Sequence, residues 1–118
     1  MTAHDIIKTA FGLMYEDIEI DKAAARFSMD VLNVLLADCF ESEQNYREAN
    51  ELPLLTDVPQ VSAPTDDVPY NYKLTRIALP YGIAWKYAEE NLNQQQAELY
   101  RMRYEDERHI AGGAAWQE

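Results

Sequence analysis

The side chains suited to metal binding are few in this sequence, and their spacing is poor. Asp106 and His109 stand three residues apart, a spacing at which two metal ligands can share one face of a helix. A metal site inside a helical bundle needs further inward carboxylates and usually a second pair of this kind. The other histidine, His4, follows no acidic residue at that spacing. We therefore expect His109 to be hydrogen-bonded or solvent-facing, and we predict no metal site.

Other signatures of catalysis are missing as well. Asp57, Asp66 and Asp67 belong to no spaced series of oxygen ligands, so we interpret them as turn residues. The chain has only 4 glycines and contains no Gly-rich phosphate-binding motif. Carboxylates are abundant, but abundance among 21 acidic residues is not evidence of an acid–base pair. The sequence predicts a protein that is not an enzyme, with no catalytic residue and no cofactor.

Length and charge limit the class of protein further. A chain of 118 residues, 47% of them apolar, is long enough for one core. It has neither an apolar run of membrane-spanning length nor a visible secretory signal, so we expect no membrane partner. The lone cysteine, Cys39, stands in an apolar run, which predicts a buried, unreactive thiol and synthesis in a reducing cytoplasm. The net charge of −11 argues against a protein that reads DNA or RNA, and favours a surface that repels nucleic acid or imitates it.

Helical spacing predicts two helices in the first fifty residues. Thr2 is a candidate N-cap with Asp5 three positions later, ahead of an apolar stripe that begins at Ile6. Asp21 can cap a second helix, which we expect to continue until it frays near residues 46–49. The apolar arc of this helix is wide, which indicates burial on two sides, either by the fold or by a neighbouring copy.

Four prolines, at positions 53, 59, 64 and 69, exclude helix from the next twenty residues. The segment is too apolar for a simple linker, so we expect an ordered, extended loop at 50–73. It has room for short strands near 54–56 and 60–62. A long ordered loop in a small domain tends to be functional or held by a partner.

The phrase from Ala78 to Trp85 opens the C-terminal helical arm. Pro80 suits the first turn of a helix, and Asn93 can cap a further helix that ends at Gly112-Gly113. On its outer face, Arg101 with Glu105 and Arg103 with Glu107 have the spacing of ion pairs. Trp116 follows the glycines and is a candidate anchor for a partner's pocket.

This organisation resembles the small head–tail connector proteins of tailed bacteriophages, also called adaptor or head-completion proteins. The resemblance covers nearly the whole chain and rests on the order of its segments and on short local sequences. It is carried by Thr2–Ile7 leading to an acidic turn, the leucine-rich run Val31–Ala37, the loop with Asp66–Pro69, the phrase Ala78–Ala84, the polar break Glu89–Asn93 and the last helix with Tyr100 and Tyr104. The acidic surplus and the Gly-Gly-Ala-Ala-Trp tail depart from the family pattern.

The resemblance implies an all-α virion protein of the neck, made in the host cytoplasm. We expect one domain, a bundle of three to five helices over residues 1–111 with a long ordered Pro-rich loop, with or without a short β-hairpin, and a tail at 112–118. Copies would form a homo-oligomeric ring, commonly of twelve, between the portal protein and tail or neck proteins. Double-stranded DNA would pass through that ring without specific binding, because an acidic wall removes the counterion-release attraction that phosphate binding relies on.

Three sets of residues are assigned to surfaces of that ring. For contacts between subunits or with the tail, we predict Leu54, Leu55, Val58 and Val61. For docking on the portal, we predict Tyr100, Tyr104 and Trp116. For the channel wall, we predict Asp17, Glu19 and Asp21, or Asp66 and Asp67.

Two other classes of protein remain open from the sequence. The first is an acidic mimic of DNA that inhibits a nuclease or a DNA-binding protein. The second is a small dimeric regulatory adaptor.

Overall fold

The computed structural model describes residues 1–15 and 22–112, and the side chains of residues 22–25 are not described. The described chain is mostly helical, without a β-strand, which confirms the predicted all-α class. Its helices are α1 (Ala3–Leu13), α2 (Lys22–Asp38), α3 (Phe40–Ala49), a π-helical segment (Leu74–Ala78), α4 (Leu79–Glu90) and α5 (Gln94–Ala111). Residues 50–71 lie between α3 and the helical backbone that begins at Tyr72.

Helix α1 begins as its sequence predicts and is completed by the loop. The backbone amide of Asp5 donates to the Thr2 hydroxyl at 3.2 Å, so Thr2 is the N-cap. The two preceding amides, of Ala3 and His4, donate to the carbonyls of Asp66 and Pro64, each at 2.9 Å. The first amides of a helix have no partner inside it, so the loop satisfies donors that α1 cannot satisfy itself.

The second helix was predicted as continuous, but the structure has two helices that meet at Cys39. The backbone there turns with φ −92° and ψ 0°. The hydrogen bonds nevertheless continue: the Cys39 amide donates to the Leu35 carbonyl at 2.8 Å, and its own carbonyl accepts from the Glu43 amide at 3.0 Å. Because helical bonding continues on both sides, the apolar pattern has no irregularity that would reveal the break.

The Leu79–Gly82 segment affects both the backbone hydrogen bonds and the packing of α4. Pro80 lacks an amide proton and cannot complete the usual bond to residue 76, and the π-helical segment ends just before it, with the Leu79 amide donating to the Leu74 carbonyl. Gly82 lets α4 approach its neighbours closely, since a Cβ there would lie 2.8 Å from Leu35 and 2.9 Å from the ring of Tyr104. This explains a glycine in the middle of a helix, where its propensity is poor.

Helix α5 confirms most of its predicted features. Asn93 caps it by accepting from the Gln96 amide at 3.3 Å. Arg103 pairs with Glu107 as expected, at 3.4 Å. The other predicted pair is wrong, because Arg101 pairs with Glu98 instead and Glu105 pairs with Arg108 at 2.9 Å.

The core lies where α1, α2 and α5 pack around α4, and the loop adds Val61 and Val68 to it. Cys39 is fully buried, as predicted. Burial raises the pKa of its thiol to about 12, so the thiolate is disfavoured. Val34 differs from the predicted apolar arc of α2, because 64% of it is exposed.

Three helices end on a residue with left-handed backbone that is not glycine. These residues are Tyr15 after α1, Glu51 after α3 and Leu92 after α4, with φ of 58°, 57° and 58°. At Leu92 the chain forms a Schellman motif: its amide donates to the Glu89 carbonyl at 3.1 Å, and the next amide donates to the Ala88 carbonyl at 2.9 Å. Glycine is the usual residue at this position because a Cβ is disfavoured there.

Candidate functional site

The Pro-rich loop is held to the helices by side-chain amides that bind its backbone. The Gln44 amide accepts from the Leu55 amide at 2.9 Å and donates to the Leu55 carbonyl at 2.8 Å. Asn33 does the same for Val61, at 2.8 and 2.9 Å. Each amide therefore satisfies a backbone donor and a backbone acceptor in a segment that has no ladder partner of its own.

A buried ion pair joins the two arms of the loop. Glu43 is 1% exposed and accepts from the Arg47 guanidinium at 2.6 Å. The same guanidinium donates to the carbonyl of Pro53 at 2.9 Å and to that of Pro69 at 2.8 Å. The other carboxylate oxygen accepts from the backbone and side-chain amides of Asn71, at 2.7 and 3.0 Å. One charge pair thus holds both ends of the loop against α3.

Two further contacts complete the anchoring. The Tyr70 hydroxyl donates to the Leu36 carbonyl at 2.5 Å, and burial raises the pKa of Tyr70. Asp66 accepts from the amides of Ser62 and Ala63, at 2.8 and 3.0 Å, and these bonds hold the pKa of Asp66 below its usual range. Asp66 therefore acts as a turn residue, in line with its interpretation from sequence.

The loop is fixed by its own domain, so no partner is needed to order it. Residues 54–56 and 60–62, where short strands had room, contain no strand and form no hairpin. The single β-bridge of the described chain pairs Thr2 with Asp67 instead. Sequence reasoning missed the anchors made by Gln44, Asn33 and Tyr70, because they join residues eleven to thirty-four positions apart through polar side chains that carry no periodic signal.

The four predicted interface residues divide into two groups. Leu54 and Val58 lie on the surface, with 55% and 36% of each exposed. Leu55 is partly buried against the core, and Val61 is 4% exposed and belongs to the core. Val61 is therefore not available to a partner in this structure. Leu52, which sequence reasoning did not select, is 45% exposed.

A surface groove runs along the base of the loop, and we call it the loop groove. Its volume is about 330 Å³. Its apolar and aromatic walls come from Met1, Tyr46, Leu52, Pro69 and Tyr72. Its carboxylates are neutralised within the chain: Glu43 by Arg47, and Asp67 by the terminal ammonium group at 3.4 Å. A charge-neutral groove with exposed apolar walls is suited to an apolar side chain of a partner.

The residues predicted to dock on the portal are separated by the fold. Tyr104 is fully buried, its hydroxyl donates to Asp38 and its ring packs at 5.7 Å from Trp85, so it is a core residue rather than a surface residue. Tyr100 is partly exposed and lies against Tyr81, with ring centroids 6.2 Å apart. Trp116 lies outside the described residues.

The residues predicted for the channel wall are only partly described. Asp17, Glu19 and Asp21 lie outside the described residues. Asp67 has 74% of its side chain exposed, whereas Asp66 is engaged in the turn at Ser62. The assignment of Asp67 to a channel wall stays a prediction.

A surface cavity of about 490 Å³ lies between the α2–α3 corner and α5. Asp38, Glu41, Glu105 and Asp106 line it together with Arg108 and His109. Arg108 lies over the ring of Tyr104 and pairs with Glu105, while its Nε is buried without a hydrogen-bond partner. Within residues 1–15 and 22–112, no group of His, Cys, Asp or Glu is arranged to hold a metal ion. None of the helices in these ranges has both the length and the apolar character to cross a bilayer.

Comparison with family models, with curated proteins and with solved structures gives no match to this chain, so none of them identifies a phage head–tail connector family.

Proposed function

We propose that this chain is a structural protein of a phage neck, a head–tail connector whose copies form a ring between portal and tail. The proposal starts from the resemblance of the sequence to that family. The observation that carries it is the loop at residues 50–71, which is rigidly anchored and yet leaves large apolar side chains on the surface. Leu52, Leu54 and Val58 are exposed although the backbone that carries them is fixed.

An anchored loop of this kind favours assembly over catalysis. Its anchors order the loop before any partner arrives, so association does not have to order that segment. Its exposed leucines and valine form a preformed apolar surface, which is typical of protein interfaces at their centre. The two carboxylates that line its base, Glu43 and Asp67, are both paired, so apolar contact is the main means of binding there.

The charge of the chain is compatible with a channel for DNA. The net charge of −11 would repel the phosphate backbone, and a duplex would slide past such a wall without the attraction that counterion release provides. Several carboxylates of the described chain have intramolecular roles, among them Glu43, Asp66 and Glu98. This favours a repelling wall over a row of free carboxylates that imitates DNA.

The test is the location and symmetry of the protein in assembled particles. Electron microscopy of virions that contain this chain should show a closed rotational ring between head and tail. Leu54→Asp should prevent incorporation, because it places a charge in the apolar loop surface, whereas Val34→Ser, an exposed valine on α2, should be incorporated normally. Absence of the chain from the neck would overturn the proposal. Tight, salt-sensitive binding to a basic DNA-binding protein would favour the inhibitor instead, and a compact dimer that ignores the portal would favour the regulatory adaptor.

A further inference from the structure

Two of the left-handed residues carry large apolar side chains that the monomer does not use. Tyr15 is 98% exposed and Leu92 is 82% exposed. A side chain with a Cβ is disfavoured at this backbone geometry, and glycine would be accepted without strain. Among the described residues, neither side chain packs closely enough to offset that cost. A residue that strains the backbone and contributes no burial indicates a role outside the monomer.

Tyr15 and Leu92 lie at the same end of the molecule, and we call them the apolar tip. Met14, Tyr87, Asn91 and Asn93 line a small cavity of about 240 Å³ between the end of α1 and the turn from α4 to α5. Met14 precedes Tyr15, and the two asparagines flank Leu92. The two exposed residues of the tip are therefore chain neighbours of residues that line this one cavity.

The loop groove lies at the opposite end of the same two helices. Met1, just before α1, and Tyr72, at the start of the helical backbone that leads into α4, both line the groove. Tyr15 follows the end of α1, and Leu92 follows the end of α4. The two helices run in the same direction from groove to tip, and the 11 residues of α1 separate the ends by about 16 Å. One molecule thus has exposed apolar side chains at one end and an apolar-walled groove at the other.

The charges along the second of these helices are placed against its dipole. Lys73 and Arg76 stand near its N-terminal end; the Arg76 guanidinium lies 4.4 Å above the ring of Tyr72, and Lys73 has no ion-pair partner among the described residues. Glu89 and Glu90 stand in its last turn, where Glu89 pairs with Lys86 of the same helix at 3.8 Å and Glu90 has no ion-pair partner among the described residues. A helix prefers the opposite arrangement, with acids at its N-terminus and bases at its C-terminus. A second helix placed end to end would bring Glu90 to the neighbour's Lys73 and reduce the conflict.

We propose that the apolar tip of one copy docks in the loop groove of the next copy, with Leu92 as the central side chain and Glu90 facing the neighbour's Lys73. The two surfaces differ, so the contact is head-to-tail and is able to repeat around a ring. This contact deepens the neck-ring function and rests on it, since it names the surfaces by which subunits of that ring meet.

The sharpest test uses a substitution that removes the tip without harming the fold. Leu92→Gly should stabilise the monomer, because glycine accepts the left-handed backbone, and should weaken self-association about tenfold or more. Tyr72→Asp should block the groove of its own copy, and its carboxylate at a helix N-terminus is favourable for folding. Thermal melting and sedimentation velocity over a wide concentration series measure the two effects. Val34→Ser is the control that should associate as the unmodified chain does.

Mixing the two variants separates a head-to-tail contact from a symmetric one. Leu92→Gly keeps an intact groove and Tyr72→Asp keeps an intact tip, so a mixture should form dimers that do not grow, although each variant alone stays monomeric. The contact is refuted if the unmodified chain is monomeric at every concentration, if Leu92→Gly associates normally, or if the mixture forms no dimer. End-to-end association of a chain that is absent from the neck of particles would overturn the proposed function and leave the contact standing. Normal rings of the Leu92→Gly variant would overturn the contact alone.

Discussion

Replacement of Arg47 by methionine should loosen the Pro-rich loop and destabilise the whole domain. Methionine keeps most of the aliphatic stem but removes three hydrogen bonds, to Glu43, Pro53 and Pro69. It also leaves the carboxylate of Glu43, which is 1% exposed, without a counter-charge. Breaking a buried pair by removing one partner costs about 3–5 kcal/mol.

The position of Arg47 reduces that figure to the lower end of the range. Its side chain is 19% exposed, so water can reach part of the vacated site. We expect a loss of about 3 kcal/mol in the free energy of unfolding, which is a large share of the roughly 5–15 kcal/mol that a domain has. Urea unfolding followed by circular dichroism measures it, and amide exchange should quicken at residues 53–69 before it quickens in α4.

Two variants make this expectation refutable. Arg101→Met removes an arginine that is exposed and paired with Glu98 along one helix, and it should change the free energy of unfolding far less than Arg47→Met, because water screens an exposed pair. Adding Glu43→Gln to Arg47→Met removes the uncompensated charge and should restore part of the loss. Equal destabilisation by Arg47→Met and Arg101→Met would show that the ion pair does not hold the loop.

Three other predictions follow from single sites. Gly82→Ala should lower the free energy of unfolding by about 1 kcal/mol or more, because overpacking against Leu35 and Tyr104 outweighs the gain in helix propensity; equal or greater stability in urea would contradict the close approach of α4. The pKa of Asp66 is lower in the folded protein than in the unfolded chain, where an aspartate has a pKa of about 3.9. Asp66 therefore stabilises the fold fully above that unfolded pKa, and this stabilisation is lost as the pH falls through the folded pKa. An NMR titration of the Ser62 amide should follow that loss, and an unchanged acid transition in Asp66→Asn would speak against it. Cys39 should react with a thiol reagent only at the rate of unfolding, since the thiol is buried with a pKa of about 12; rapid labelling of the native protein would disprove its burial.

The features that the sequence predicts well are local. The caps at Thr2 and Asn93 need only a polar side chain and an amide three residues away, so the residues themselves reveal them. The helical class follows from apolar spacing that survives even across the break at Cys39. The break itself is invisible, because helical hydrogen bonds continue on either side of it.

The features that the sequence predicts poorly depend on distant partners. Tyr104 was assigned to a docking surface because a ring with a polar tip suits an interface, yet the same chemistry suits a core in which the hydroxyl meets Asp38. Val61 is an apolar loop residue, and the sequence alone is compatible with a place in the core or on the surface. In the structure the Asn33 side-chain amide hydrogen-bonds the Val61 backbone and holds it against α2. The left-handed backbone at Leu92 is not predictable from the sequence, because glycine, which usually marks this conformation, is absent there.

The π-helical segment at Leu74–Ala78 determines in which direction the side chains before it point, relative to the side chains of α4. A π turn contains one residue more than the α turn it replaces, and each residue of an α-helix advances the side-chain direction by about 100°. Without that extra residue, Tyr72 and Arg76 would swing by about 100° around the axis relative to the buried face of α4. The orientation of the groove wall is therefore encoded by one additional residue of chain length, independently of which side chains occupy the segment.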